Sequence, residues 1–262
     1  MAEGSRKGRR RPDEQTVLAA DGVALNVAVG GEARCPRLLL LHGLAARWQA
    51  FGPLIPPLWD SYQLIAPDFR GHGGSGHASG TYNLAQLVAD TLIVADALAP
   101  DGTMAISGHS LGGWVGLQLA AAHPERVRGL IIGDTALDPA QVDPDFTVNY
   151  LAGMGIALRS LNTSQAQMDD EVMTAFREEA FVGDYDQKAL LAQVRCPVLL
   201  LQADPAEDGL MTDDDVAVAL EHLGDVRHHR LDGVGHGLHI NNPFAVLDVV
   251  EPFLASLPDQ PT

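Results

Sequence analysis

The chain has 262 residues, 46% of them apolar and 19% charged. That length suits one large domain, and that composition can bury a core. Its 34 acidic and 17 basic residues leave a formal charge of −17, which disfavours nucleic acid and anionic membranes as partners. No apolar run reaches the ~18 residues that a membrane span needs. Two cysteines, Cys35 and Cys196, are too few for a disulfide framework. The expected setting is therefore soluble, reducing and cytoplasmic.

The basic residues crowd at the start. Arg6, Lys7, Arg9, Arg10 and Arg11 face one acid, Glu3, within the first twelve positions. No apolar run follows them, so the segment is not a signal peptide. Residues 1–15 are expected to form a disordered basic tail.

Short apolar runs then alternate with longer helical patterns, the mark of a mostly parallel sheet covered by helices. Strands are predicted at Val23–Val29, Leu38–Leu41, Gln63–Ala66, Met104–Ser107, Val127–Gly133, Val198–Gln202 and Val226–Leu231. Several are nearly continuous in Leu, Ile and Val, as in strands buried on both faces. Helices are predicted at Leu84–Leu98, Leu111–Ala122, Asp213–His222 and Pro243–Leu257. Thr212 can cap the third of these, and Asn242 followed by Pro243 opens the fourth. Residues 138–190 break the rhythm. They carry Pro139, Pro144, Gly153 and Gly155, then a helical pattern around Asp169–Ala180. A connection that long implies a helical insertion over one end of the sheet.

Residues 104–113 read MAISGHSLGG: an apolar strand, then Gly108-His109-Ser110-Leu111-Gly112, then a helix. This is G-x-S-x-G in the strand–turn–helix context that the nucleophile elbow requires. The serine must sit on a strained turn that lifts its hydroxyl clear of the sheet. Strand and helix then pack so closely that side chains at 108 and 112 would collide.

With this motif the chain resembles the α/β-hydrolase family, from about residue 16 to 257. The matching segments are LLLLHGLAARW (38–48), APDFRGHGGS (66–75), SGHSLGGWVGLQLAAAHPERV (107–127), CPVLLL (196–201) and GVGHGLH (233–239). The resemblance implies an α/β fold with a mostly parallel eight-stranded sheet flanked by helices. It divides the chain into a core of residues 16–137 and 191–262 and a helical cap, 138–190, inserted after the sixth strand.

Ser110 is the expected nucleophile, and it needs a base within hydrogen-bond reach. His236 is the best of ten histidines. It lies in the Gly-rich loop Gly233–Gly237 between the last strand and the last helix, and it keeps the order Ser…Asp…His. His239 competes with it. The two could suggest a metal pair, but no third ligand accompanies them at a sensible spacing. His42 is expected to make structural hydrogen bonds. The acid is less certain. In most relatives it follows the seventh strand, where this chain reads Ala203-Asp204-Pro205-Ala206-Glu207-Asp208 and sets Ala206 at the expected position. Asp134, at the end of the sixth strand, resembles the acid of haloalkane dehalogenases and some lactonases and is preferred. Asp204 and Asp208 are the alternatives. The oxyanion hole would use the backbone N–H groups of Leu111 and Leu44.

Serine at 110 separates the chain from dehalogenases and epoxide hydrolases of this fold, which need a carboxylate there. The expected reaction is hydrolysis of a carboxylic ester or lactone through an acyl-serine intermediate. Trp48, His109, Trp114 and Met154, with Phe146, Tyr150, Met168, Met173, Phe176 and Phe181, imply a neutral, moderately hydrophobic small-molecule substrate. Core packing explains the same aromatic and Met residues equally well. The same triad could serve C–C or thioester hydrolysis or acyl transfer, and a binding protein on a hydrolase scaffold is the rival of another class. Gly71–Gly76 is Gly-rich but lacks the Lys and helix of a phosphate-binding loop. No metal, cofactor, nucleic acid or membrane partner is expected, and no oligomeric state is implied.

Overall fold

The structure is a computed structural model and describes residues 10–100, 102–143, 145, 147 and 168–258. Eight strands form one sheet: β1 (Asp13–Leu18), β2 (Ala24–Gly31), β3 (Arg37–Leu41), β4 (Gln63–Pro67), β5 (Met104–His109), β6 (Val127–Gly133), β7 (Val198–Ala203) and β8 (Val226–Leu231). Their spatial order is β1-β2-β4-β3-β5-β6-β7-β8. The β1–β2 and β2–β4 pairs are antiparallel, and every pair from β4 to β8 is parallel.

The helices are α1 (Ile55–Leu58), α2 (Leu84–Leu98), α3 (Leu111–Ala122), α4 (Asp170–Phe176), α5 (Gln187–Gln193), α6 (Asp213–His222), α7 (Leu238–Asn241) and α8 (Pro243–Ala255). Their starts follow side-chain chemistry. Asn83 accepts from the Gln86 N–H, Thr212 forms a capping box with Asp215, and Asn242 accepts from the Ala245 N–H ahead of Pro243.

The central strands are buried on both faces because helices cover both. Leu39, Leu41, Ile106, Leu130, Ile132, Val198 and Leu200 join α2, α3 and α6 in one apolar layer. The alternate residues Leu38, Leu40, Ala105, Ile131, Leu199 and Leu201 join α1 and α8 in the other. This period-two division is why the strands read as continuous apolar runs.

One boundary needs correction. Asp13, Glu14 and Gln15 were expected within the basic tail, yet β1 starts at Asp13. Its residues are mostly exposed and it pairs only with β2, so backbone hydrogen bonding holds it rather than an apolar face. Such an edge strand carries no periodic signal. Arg10 also forms an ion pair with Asp60.

Between β6 and β7 the described part of 138–190 is a short 3-10 turn at Pro139–Gln141, α4, another at Glu179–Phe181, and α5. It is fastened to the core at several points. The Asp169 N–H donates to the Gly71 carbonyl at 2.9 Å, and the Tyr82 hydroxyl donates to the Asp169 carboxylate at 2.6 Å. Phe176 stacks on Trp114 with ring centroids 6.3 Å apart. Phe146, Tyr150 and Met154 lie outside the described residues.

Candidate active site

Ser110 is the single residue between the end of β5 and the start of α3. Its φ of 54° and ψ of −120° lie where side-chain-bearing residues are rare. Close packing enforces this turn. A Cβ at Gly108 would lie 2.2 Å from the Gly112 carbonyl oxygen, and one at Gly112 would lie 2.1 Å from the Leu41 carbonyl oxygen. Both obstacles are backbone, so neither can swing aside. The Ser110 N–H donates to the Gly133 carbonyl, and the Thr135 hydroxyl donates to the Ser110 carbonyl, which pins the turn to β6.

His236 Nδ1–H donates to Asp134 Oδ2 at 2.6 Å. This pairing leaves Nε2 as the basic ring nitrogen. Asp134 is fully buried at the end of β6. Its Oδ1 accepts from the N–H groups of Ala203 and Met211, both at 3.1 Å, and its Oδ2 also accepts from the Leu210 N–H at 2.8 Å. Those donors hold the charged carboxylate in a site without water access. Asp204 sits elsewhere. Its carboxylate accepts from the N–H groups of Ala206 and Gly233, and these two backbone bonds hold its pKa below the ordinary value. It thereby fastens the loop that carries His236. Asp208 is exposed and lines the cavity described next.

Ser110 opens on two adjoining cavities. The larger, about 710 Å³, is lined by Leu44, Ala46, Ala50, His109, Thr147, Asp208, Leu210, His236, His239 and Ile240 among others. The smaller, about 320 Å³, runs toward Leu111, Trp114, Thr135 and Phe176. Leu44, Ser110, Thr147 and Leu210 border both. The walls are mostly apolar, the usual character of a small-molecule site.

The sequence comparisons agree with this architecture. Residues 36–158 match the family model of the α/β-hydrolase fold. The chain has the α/β-hydrolase fold. It is 37% identical over 120 residues to 3-oxoadipate enol-lactonase 2 of Acinetobacter baylyi, covering 45% of this chain and 44% of that protein. It is 31% identical over 168 residues to epoxide hydrolase A of Mycobacterium tuberculosis, covering 58% of this chain and 52% of that one. The chain thus spans about half the length of these curated relatives. A crystal structure of the enol-lactonase from Burkholderia xenovorans superposes with a TM-score of 0.77 at 22% identity, over 92% of this chain and all of that one.

Within this fold, three histidines line the larger cavity. His109 Nε2–H donates to the backbone carbonyl of His236 at 2.8 Å, and the two rings lie 4.6 Å apart. His239 packs edge-on to His109 and against Phe51. Burial holds the His109 pKa well below the ordinary value, with His236 adding to the effect, and the same causes lower His239 to about 3. Both are therefore neutral neighbours of His236. His42 is buried as well. Its Nε2 accepts from the Phe69 N–H at 3.0 Å while Nδ1 faces the Gly43 carbonyl at 2.7 Å, and burial lowers its pKa to about 4. Among the described residues, no group of three His, Cys, Asp or Glu side chains is arranged to hold a metal.

The remaining pocket expectations divide. His109 lines the large cavity and Trp114 the small one, where Trp114 also donates to the Ala136 carbonyl at 2.7 Å. Trp48 lines neither. It starts a 3-10 turn, Trp48–Phe51, and is buried in the apolar layer with Phe51 and Leu54. The small residues Ala46 and Ala50 stand at the wall instead. Sequence reasoning missed Thr135, Thr147, Leu210 and Ile240 as site residues. Leu210 and Ile240 had no available signal, since neither position belongs to a chemical motif. Thr135 follows Asp134 directly and could have been suspected as a support for the turn.

Proposed function

We propose that this chain hydrolyses a carboxylic ester or lactone of a neutral, moderately apolar small molecule through an acyl-serine intermediate. The observation that carries this reading is the 2.6 Å His236–Asp134 bond, with His236 and the strained Ser110 turn lining one cavity. Ser110 Oγ attacks the substrate carbonyl carbon while His236 Nε2 takes its proton. Asp134 keeps Nδ1 protonated and stabilises the imidazolium. The carbonyl oxygen becomes an oxyanion facing the N–H of Leu111, which opens α3 and has no acceptor within its own helix, and that of Leu44. Each such donor lowers the barrier by about 3–4 kcal/mol. His236 then protonates the leaving alcohol, and water releases the acid by the same steps in reverse. Two cavities meeting at Ser110 suit an acyl part on one side of the reacting carbon and an alcohol part on the other. Epoxide opening by a covalent enzyme ester would need a carboxylate at 110, where this chain has a hydroxyl.

A reducing, intracellular setting belongs to the same reading and is in keeping with two free cysteines, Cys35 and Cys196. The test is turnover of short-chain and medium-chain aryl esters, then lactones, by wild type and Ser110→Ala. The variant should lose at least about three orders of magnitude in kcat. Equal activity in both proteins would overturn the serine mechanism.

A further inference from the structure

Asp208 has a carboxylate that the proposed triad does not use, yet it stands on the wall of the cavity that contains Ser110 and His236. Its position is set by the backbone around it. Asp208 follows the short 3-10 turn Pro205–Glu207 with a φ of 63°. On one side the Gly209 N–H donates to the Asp204 carbonyl at 3.0 Å, and the Leu210 N–H donates to Asp134 at 2.8 Å. On the other side the loop bearing His236 lies against it: a Cβ at Gly235 would fall 2.3 Å from the Glu207 carbonyl oxygen. The residue therefore lies between the segment bonded to the buried acid and the loop that carries the base.

Among the described residues lining the two cavities there is no Lys or Arg, and Asp208 is the one Asp or Glu. Arg47, next in sequence to the lining residue Ala46, already has an interaction partner. A carboxylate on the wall of a mostly apolar cavity repels an anionic substrate group and attracts a cationic one.

We infer that Asp208 is a specificity-determining residue that selects against substrates bearing a free carboxylate and in favour of neutral or cationic esters. This rests on the ester-hydrolase reading above and deepens it. It also separates the chain in preference from any relative acting on a lactone of a dicarboxylic acid, which keeps one carboxylate free after ring closure. The carboxylate is exposed, so water and salt soften its effect to about three- to tenfold in the relative kcat/KM. The overall charge of −17 biases selection the same way, but that field changes by a single unit in a point variant.

The experiment compares 4-nitrophenyl esters of matched length: a neutral valerate, an anionic hemiglutarate and a cationic 4-(trimethylammonio)butyrate. Each kcat/KM is divided by that of the neutral ester. Asp208→Asn keeps a residue type that tolerates positive φ, and Asp208→Gly serves if that variant folds poorly. Glu125→Gln, an exposed position just beyond the far end of α3, makes the same change in net charge. The expected result is a three- to tenfold rise in the anionic ratio and a comparable fall in the cationic ratio for the Asp208 variants, with both ratios unmoved in Glu125→Gln. Unchanged ratios in the Asp208 variants, or the same shift in Glu125→Gln, overturn the inference while the ester-hydrolase reading stands. Absence of turnover by wild type on the neutral ester and on neutral lactones overturns that reading and the inference with it.

Discussion

At the scale of single residues, the site depends on which carboxylate meets His236. Asp134 and Asp204 both end strands and both accept backbone hydrogen bonds, yet only Asp134 combines these bonds with a contact to imidazole. Asparagine at 134 would present an amide N–H₂ to a site built from N–H donors. Asp134→Asn is therefore expected to lower kcat about 10³–10⁴-fold, because His236 loses the partner that orients it. It should also cost about 1–3 kcal/mol of stability from the mismatched donors. Asp204→Asn is expected to leave stability nearly unchanged, since Asn caps as well as Asp, with a far smaller loss of kcat. Steady-state kinetics and urea denaturation of both variants check this, and equal kcat losses would sink the assignment of Asp134. The motif around Ser110 and the loop around His236 are visible in the chain because each is a local constellation. The acid, Asp134, was preferred over Asp204 and Asp208 only by resemblance, because its pairing spans 102 residues of sequence separation.

At the scale of elements, the elbow joins β5 and α3 at a distance that only glycine permits. Alanine at Gly108 would drive a methyl group into the Gly112 carbonyl. Gly108→Ala should therefore cost about 3 kcal/mol or more and displace Ser110, so activity and stability fall together. Gly224 gives the contrast: a Cβ there meets nothing within 4 Å, and its φ is not in the positive region. Gly224→Ala should stay within about 1 kcal/mol of wild type, on the stabilising side. Urea midpoints measure both, and a well-folded, active Gly108→Ala protein would contradict the packing argument. The helices were legible where caps and periodicity coincide, as at Asn83 and Thr212. The four-residue helices α1 and α7 were not, since one turn offers too few positions for a periodic pattern.

At the scale of the whole molecule, three buried histidines and the half-buried His109 make the fold sensitive to acid. Burial lowers His42 to about 4 and His72 and His239 to about 3, and holds His109 well below the ordinary 6.5. Below pH 6.5 the unfolded chain takes up protons on these residues while the folded chain refuses them, so stability falls as the pH falls from about 6.5 toward 3–4. Near pH 5, unfolding should take up as many as four protons on these groups. Urea midpoints between pH 7.5 and 5 would reveal the loss, and a flat profile over that range would contradict it. Arg70 lies beside one of these histidines, its carbonyl 3.0 Å from His72 Nδ1. It is fully buried and held by Asp90 through two hydrogen bonds, at 2.6 and 2.8 Å.

The amino-acid sequence by itself determined the layered sheet, the elbow and the base loop. Each is written in residues that are neighbours along the chain: apolar runs buried on two faces, glycines where backbones touch, a cap before a helix. Only the tertiary structure decided that Asp134 meets His236, that His109 holds the His236 carbonyl, that Trp48 packs into the core, that Asp13–Leu18 completes the sheet edge, and that Asp208 stands on the cavity wall. Those outcomes depend on which loop ends converge above the parallel strands. Convergence of distant segments is set by packing of the whole sheet, which no local pattern encodes.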